Sequence, residues 1–536
     1  MPILHHKKSI VIIIFVIAIL LRFYKIDSYP PLNADEAAIG YNAYSLLLTG
    51  KDEHGASWPL HFQSFGDYKP GGYFYLTMPF IKVLGLIPLA VRLPNLIFSI
   101  IALYFAYKLV ELLTKNEILA TISLAVIAIN PWSIHFSRGG WESSTALSFI
   151  IIGTYFFFKY LDQSKLKNLI LFSIFFSLSL YIYHSARIIA PLLALTYFIN
   201  YKTYILNHRS HLFKVIAISF ILITPVFISF IRNGGTSRFG GVGITADQGP
   251  IWRSNELLNQ HYPLTLVDRL IHNKRTLYLL SWVQKYSSHF DLNFLFLTGD
   301  EVPRSKVPEM GQFYVFEVIL LVLGLWQLFK NKLSKSYRNL ILSWIVITPL
   351  ASSLTFQAPS ALRALALTVP FCLLIALGIY QLLQLKRLNI LLLFILLLVY
   401  AYSLSYYVDA YFIHYLKRYP EAWPQNFEQI TTLINQQKNK YQNIYVTNKY
   451  DQPYILYLFY SRYSPWLAQS QTKLTTPDQF GFSTVTQIGN IHFQKIDWNN
   501  LPKNSLVIAA DEKVPQLPTT VINFSNNLPE FKIYTK

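Results

Sequence analysis

A chain of 536 residues is long enough for several soluble domains at roughly 150 residues each, yet 53% of it is hydrophobic and only 14% charged, against an ordinary charged share of roughly 25%. That excludes disorder and a conventional water-soluble enzyme. The 46 Lys and Arg exceed the 27 Asp and Glu to leave +19, but the basic residues are dealt out between apolar runs rather than gathered in one patch, so no nucleic-acid partner is expected. The single cysteine, Cys372, lies in an apolar run, which excludes an intramolecular disulfide framework and CxxC-type zinc or redox motifs.

The start reads HHKK and then SIVIIIFVIAILL. RFYKIDSYPP follows in place of a small-residue cleavage site, so an uncleaved first membrane helix is expected over 9–24. Further uncharged or sparsely charged runs at 89–113, 118–137, 142–161, 168–186, 188–201, 215–231, 312–329, 339–362, 364–385 and 388–408 complete a set of about eleven spans. Beginning inside with Lys7 and Lys8, alternation puts Lys115, Lys165, Lys167, Lys202, Arg209, Lys214, Lys330, Lys332, Lys335, Arg338, Lys386 and Arg387 on the cytoplasmic side. The short outward connections carry only Arg138, Arg187 and Arg363. This is the positive-inside asymmetry. It implies a multi-pass protein of the cell (inner or plasma) membrane with a cytoplasmic N-terminus and two large outer loops, 25–75 and 232–311.

The tail changes character. NIYVTN, IHFQKIDW, SLVIAAD, TTVINF and FKIYT read as short strands, and EQITTLINQQKNK and PYILYLFYSRY as helices. The expected fold class is therefore an α-helical multi-pass membrane domain over 1–405, followed by a small α/β extracytoplasmic domain over 406–536. No repeat of fixed period is present.

With charge so scarce, each outward charge is informative. The first outer loop carries two acidic pairs, Asp35-Glu36 and Asp52-Glu53, and then Asp67, Tyr68 and Lys69. Adjacent carboxylates beside a membrane suit a divalent ion, or a general base oriented by its neighbour; Asn33 ahead of them equally suits a helix cap with acids in the first turn. The chain has no diagnostic ligand cluster, so a divalent metal is compatible with the sequence and not required by it. Arg138, Arg187 and Arg363 are disfavoured where they stand unless they face the bundle interior or headgroups, and guanidinium groups suit phosphate by bidentate donation. His184 precedes Arg187 by one helical turn. In the second large loop Asp300, Glu301, Arg304 and Lys306 surround a turn punctuated by Gly and Pro, which suits either a lid or an ordinary surface turn. No Walker loop, dinucleotide glycine pattern, HExxH or GxSxG accompanies them. What remains is a membrane-boundary site of carboxylates and arginines, suited to an amphiphile with a phosphate head.

The pieces ADEAAIGYNAYSLLLTGKDEHG, DYKPGGYFYLTMP, VRLPNLIFS, NPWSIHFSRGGWESS, YHSARIIAP, HFDLNFLFLTGDEVPRSKVPEMGQFY and APSALRALALTVP together resemble the membrane-embedded glycosyltransferases of the C superfamily (GT-C). The resemblance is to bacterial members of family 39 related to protein O-mannosyltransferases and aminoarabinose lipid A transferases, and it runs through about the first 400 residues. It implies an inverting glycosyltransferase that takes a sugar from a polyprenyl-phosphate donor to an acceptor hydroxyl on the outer face. Protein, lipid and envelope glycan all remain open as acceptor. It further implies Asp35 as general base with Glu36 beside it, and Lys69, Arg138, Arg187, Arg304 and Arg363 as candidate cations for the phosphate. Asp67, Tyr68, His184 and Asp300 join the candidate substrate-binding set. Ser360 stands where relatives often have His, and Gly71 where they often have a second Pro. A lipid-linked glycan transporter or flippase is the alternative from another class, though neither internal repeats nor mid-span charges are visible. A polymer ligase and a non-catalytic assembly subunit are the others.

Overall fold

The computed structural model describes residues 7–232, 241–260, 263–330, 333–385, 389–476 and 483–536. Of the residues used above for orientation, His5, His6, Lys332, Lys386 and Arg387 lie outside that set. A helix lies under each expected apolar run, the first being α1 (Lys7–Phe23). Among the described residues five helices are long and apolar enough to cross a membrane: Pro88–Thr114, Glu142–Gln163, Arg209–Arg232, Leu365–Leu383 and Ile390–Arg418. A sixth is Glu117–Ile129 with Pro131–Ser137, if that pair, bent by 60°, counts as one. The bend falls at Asn130, whose extended dihedrals (φ −65°, ψ 130°) are those a residue before proline prefers. The remaining runs make shorter or interrupted helices: α1 and Leu166–Ile182 have 17 residues each, and Ala186–Asn207 is kinked at Tyr201. The run at 339–362 departs most from expectation. Its helix, Lys335–Ser353, stops well short, and Ala358, placed before Pro359, is biased away from resuming it; the residues beyond form the turn that carries Arg363.

The chain forms two compact units that do not follow its linear order: Met1–Arg22, Phe98–Ser137 and Glu142–Tyr407 make one, and Phe23–Ile97, Arg138–Trp141 and Val408–Lys536 the other. At the centre of the first unit Leu365–Leu383 is 83% buried over its apolar window. It meets Glu317–Lys330 at two glycines: a Cβ on Gly324 would come within 1.8 Å of the Leu374 carbonyl oxygen, and one on Gly378 within 2.1 Å of that of Leu320. Small residues at a crossing are how helices approach closely where lipid removes the hydrophobic incentive to associate. Arg209–Arg232 is only 11% buried over its window, so its apolar side chains face outward, as a lipid-facing helix requires.

The second unit joins the first outer loop to the tail. Its loop part contains α2 (Ala34–Thr49), the hairpin β1 (His61–Ser64) and β2 (Asp67–Pro70), and the helix Gly72–Leu84. The tail forms a seven-stranded sheet from β3 (Asn443–Val446), β4 (Thr472–Leu474), β5 (Val485–Ile488), β6 (Ile491–Phe493), β7 (Ser505–Ala509), β8 (Thr520–Asn523) and β9 (Pro529–Thr535), in the order β4-β5-β6-β3-β7-β9-β8. The central β6, β3 and β7 run parallel and the flanking pairs antiparallel. Every residue of β7 is buried, which explains its unbroken apolar reading, SLVIA, in place of alternation. The helix Pro453–Tyr460 packs against α2, so the tail forms part of the mount for the first acidic pair.

Candidate active site

Of the residues singled out by sequence, Asp35, Glu36, Asp67, Tyr68, Lys69 and Arg138 fall in the second unit, and His184, Arg187, Asp300, Arg304 and Arg363 in the first.

Asn33 caps α2 as its position suggests. Its side chain accepts from the Glu36 main-chain N–H at 2.9 Å and the Glu36 carboxylate accepts from the Asn33 N–H at 3.3 Å, a capping box. That reciprocity turns the adjacent acids opposite ways. Glu36 is 2% exposed. Both its oxygens lie 2.7 Å from Arg92, one from Nε and one from Nη2, and the Gly140 N–H donates to it at 2.7 Å. Arg92 in turn donates from Nη1 to the Ile26 carbonyl at 2.8 Å and from Nη2 to that of Pro31 at 3.3 Å. Sequence reasoning grouped Glu36 with the catalytic acid. The geometry makes it a positioning residue, its carboxylate spent on a buried guanidinium and two main-chain donors. Arg92 was overlooked; its only signal was a lone charge in the apolar stretch VRLPN.

Asp35 emerges on the other side, in the first turn of α2, with its side chain 47% exposed and ion-paired to Lys69. The helix N-terminus favours a carboxylate there. Lys69 arrives on a two-residue hairpin whose register pairs Ser64 with Asp67. The turn residues Phe65 and Gly66 both have positive φ (43° and 87°), the backbone of a type I′ turn, which favours glycine and matches the twist of the strands. The Lys69 ammonium lies 5.5 Å from the Phe65 ring centroid. Asp67 accepts from the Tyr68 N–H at 2.7 Å and closes the turn; Tyr68 sits opposite Gln63, half-buried.

The second acidic pair is buried outright. Asp52 accepts from the main-chain N–H groups of His54 and Ala56 at 2.9 and 2.8 Å. Glu53 exchanges hydrogen bonds with the Asn42 amide, at 3.0 Å to its carboxyl and 2.8 Å from its own N–H. Burial pushes the Glu53 carboxyl up to about 8, and the Asn42 hydrogen bond, the Lys69 charge and the Tyr454 phenol only partly oppose it.

Arg138, a candidate phosphate ligand by sequence, is fully buried: its Nη2 donates to the carbonyls of Tyr24 at 2.6 Å and Tyr29 at 3.3 Å, and its guanidinium lies over the rings of Tyr411 and Phe412 at 5.2 and 4.8 Å. Those bonds tie chain segments together.

In the first unit His184, Arg187 and Arg363 come together around one cavity of about 450 Å³, otherwise lined mainly by apolar side chains such as Leu180, Ile223, Phe227 and Leu354. Arg187 donates through Nε to the Leu180 carbonyl at 3.1 Å, and its Nη1 lies 3.4 Å from His184 Nδ1. Arg363 donates through Nη1 to Thr355 Oγ1 and the Gln357 carbonyl at 3.2 and 3.0 Å. Asp300 does not line the cavity. It is buried behind the turn, accepting from the N–H groups of Val302 at 2.8 Å and Ala361 at 2.6 Å, and thereby fixes the turn that presents Arg363. Burial raises its pKa despite those donors. Arg304 lies on a short 3-10 turn whose carbonyl meets His135 Nε2 at 2.8 Å; it too is absent from the cavity lining. Ser360 Oγ accepts from the Arg363 N–H at 3.4 Å. Among the described residues no group of three or more His, Cys, Asp or Glu is arranged to hold a metal ion.

Residues 68–228 match the family model for dolichyl-phosphate-mannose-protein mannosyltransferase. Among solved structures the chain is similar to the Archaeoglobus fulgidus oligosaccharyltransferase in its complex with Zn and sulfate (TM-score 0.51, 11% identity, 84% of this chain and 61% of that one). It is also similar to AglB from the same organism, an oligosaccharyltransferase in complex with an inhibitory peptide and a dolichol-phosphate (0.50, 12%, 85% and 63%). ArnT from Cupriavidus metallidurans in the apo state aligns over 98% of this chain and 97% of its own, at TM-score 0.48 and 10% identity. The chain spans about three fifths of the length of the oligosaccharyltransferases, and at these identities the likeness is one of fold. No curated protein matches the sequence.

Proposed function

We propose that this chain, a GT-C superfamily glycosyltransferase by its matched family segment and its fold, moves one sugar from a polyprenyl-phosphate donor to an acceptor hydroxyl with inversion at the anomeric carbon. Asp35 accepts the hydroxyl proton as the acceptor oxygen bonds to the anomeric carbon. The bond from that carbon to the phosphate oxygen breaks, and the electron pair leaves with the polyprenyl phosphate. Because phosphate is already a good leaving group, catalysis asks chiefly for a positioned base and for fixed cations where negative charge accumulates. Lys69 supplies a cation in the unit that carries Asp35. Arg187 and Arg363, in the apolar cavity of the other unit, suit an isoprenoid phosphate: guanidiniums for the head, hydrocarbon walls for the chain. The mannosyltransferase family segment and the dolichol-phosphate bound by AglB support that class of donor.

We read the helices under the expected runs as about eleven spans, with the N-terminus cytoplasmic and chemistry on the outer face. Residues 1–405 form the catalytic membrane domain and 406–536 an extracytoplasmic one.

The observation that carries this reading is the split first acidic pair. A capping box and a buried Arg92 hold Glu36 inward, so Asp35 is presented at a set angle beside Lys69. Purified protein given a polyprenyl-phosphate hexose and a cell-envelope extract should transfer the sugar. Asp35→Asn should lower turnover by about 100-fold or more, as loss of a general base does, while the unfolding temperature falls only modestly, because Asp35 is itself 47% exposed and Asn keeps an acceptor oxygen for the largely buried Lys69 ammonium. Undiminished turnover in that variant would remove Asp35 from the reaction.

A further inference from the structure

Among the described residues the second large outer loop carries the helices Gly249–Asn259, Leu266–Ile271 and Lys274–Ser287. The first turns Pro250, Ile251, Leu257 and Leu258 inward as a soluble helix would, whereas Leu266–Ile271 buries nothing and Lys274–Ser287 buries only Leu277, and polar groups hold them in place. Ser254 Oγ donates to the His272 carbonyl at 2.6 Å, Tyr278 OH to that of Asp247 at 2.8 Å and Tyr286 OH to that of Val346 at 2.9 Å, and Lys285 pairs with Asp247 at 3.2 Å. In the last two helices much of the apolar surface is turned away. Leu266 is 79% exposed, Leu270 70%, Leu279 59% and Trp252 70%, with Val267, Ile271, Leu280 and Val283 exposed beside them. Positions 266, 267, 270 and 271 on one helix, and 279, 280 and 283 on the next, each have the spacing of a helical stripe.

Water is a poor neighbour for such a face, and two features name a better one. Exposed Arg253, Arg269, Lys274 and Arg275 flank the stripe, a basic rim that complements an anionic surface. Tyr286 ties the helix Lys274–Ser287 to Lys335–Ser353 next to the exposed Val346, which brings the apolar face beside a helix read here as a span. We infer that the helices Leu266–Ile271 and Lys274–Ser287, with Trp252, lie in the headgroup layer of the membrane that the spans cross, their leucines in the acyl boundary and their arginines among the phosphates. This is how amphipathic helices with a strong apolar face sit on bilayers, and exposed Trp and Tyr belong at that depth. The same loop reaches the arginine-lined cavity: Val242 and Gly243 are among its walls, and the Ile244 N–H and the Val242 carbonyl bond to Leu354 and Phe356 at 2.9 and 3.1 Å. Anchoring the helices therefore sets the depth of one wall of the cavity. The inference requires only that the chain is membrane-embedded, and stands whether or not it transfers sugar.

The test exploits the single cysteine. Cys372 is fully buried, so a nitroxide placed on Leu270→Cys, Leu279→Cys or Lys274→Cys of the full chain reports from that position alone. In vesicles of phosphatidylcholine with a minority of phosphatidylglycerol, collisions with oxygen should exceed collisions with a water-soluble nickel chelate at 270 and 279, and the order should reverse at 274. Chelate-dominated collisions at all three positions would overturn the inference in favour of a solvated loop. Protection of 270 and 279 from both reagents would overturn it in favour of a protein partner or a second copy.

Discussion

At Asp35-Glu36 and at Asp52-Glu53 one loop carries the same pair of acids, and burial sorts each pair by the partner it meets. Glu36 finds a guanidinium, Arg92, held by two carbonyls of its own. Glu53 finds the Asn42 amide, the Tyr454 phenol and, at 3.8 Å, the His54 imidazole, whose own pKa burial lowers, so burial governs it and its pKa rises to about 8. The first pair therefore has one acid locked inside and one presented outward; the second has both withdrawn. Identical dipeptides acquire different chemistry because an ion pair compensates desolvation and a neutral hydrogen bond compensates it only in part.

The sharpest way to break that contrast is to remove the cation. Arg92→Met leaves the Glu36 carboxylate buried without its counter-charge, and loss of one partner of such a pair costs about 3–5 kcal/mol. Thermal unfolding in detergent should show it as the largest loss among single substitutions in this loop. The double variant Arg92→Met with Glu36→Gln should recover most of the loss, since replacing both members of a buried pair is often near neutral. Equal destabilisation by the single and double variants would mean that Arg92 acts through Ile26 and Pro31 alone.

What was legible in the sequence divides along the same physical line. Apolar runs and turn residues act locally, so a helix underlies every expected run, β3, β6, β7 and β8 lie within four of the five predicted strand segments, and β9 covers the fifth with two more residues at its start. The edge strands β4 and β5 were not legible: TKL and VTQI are short and carry no apolar alternation. Asp35, Lys69, Arg187 and Arg363 were singled out because outward charge is rare in this chain. Partnership was not legible. Nothing local in VRLPN says that Arg92 will meet an acid 56 positions earlier, nor does RGG say that Arg138 will lie over Tyr411 and Phe412. The packing of the helix Pro453–Tyr460 on α2 is of the same kind, a contact between elements some four hundred positions apart.

A pH series sharpens the comparison at the second pair. Glu53 has its ordinary value of 4.5 when unfolded and about 8 in the fold. Between those values the folded state holds a proton that the unfolded state has released, so raising the pH through this window favours unfolding. The Glu53 contribution is intact below about pH 4.5, falls by up to about 1.4 kcal/mol per pH unit across the window, and is lost once pH passes 8. Glu530, whose pKa burial raises to about 7, falls in the same window, so the parent must be compared with Glu53→Gln. That substitution keeps the Asn42 acceptor and should flatten the curve between pH 5 and 8 by the Glu53 share. Parallel curves for the two proteins would show that Glu53 ionises freely.

The smallest expected effect belongs to Tyr454, and it separates burial from hydrogen bonding at that carboxyl. The phenol favours the ionised form of Glu53 and is itself held well above its usual range, by burial first and then by the charge of Glu53. Tyr454→Phe deletes one buried hydroxyl beside a group that keeps its Asn42 partner, at a cost of about 1 kcal/mol. Its more telling consequence is a displacement. With the phenol gone, desolvation acts on Glu53 with less opposition, so the pH window of lost stability should extend upward. Asn42 is a single amide clasping both the carboxyl and the main chain of Glu53, so Asn42→Ala should displace the window further than Tyr454→Phe while also loosening the loop. An unmoved window in the Phe variant, with the 1 kcal/mol still lost, would assign Tyr454 to packing between the tail helix and α2 and leave Glu53 governed by burial and Asn42 alone.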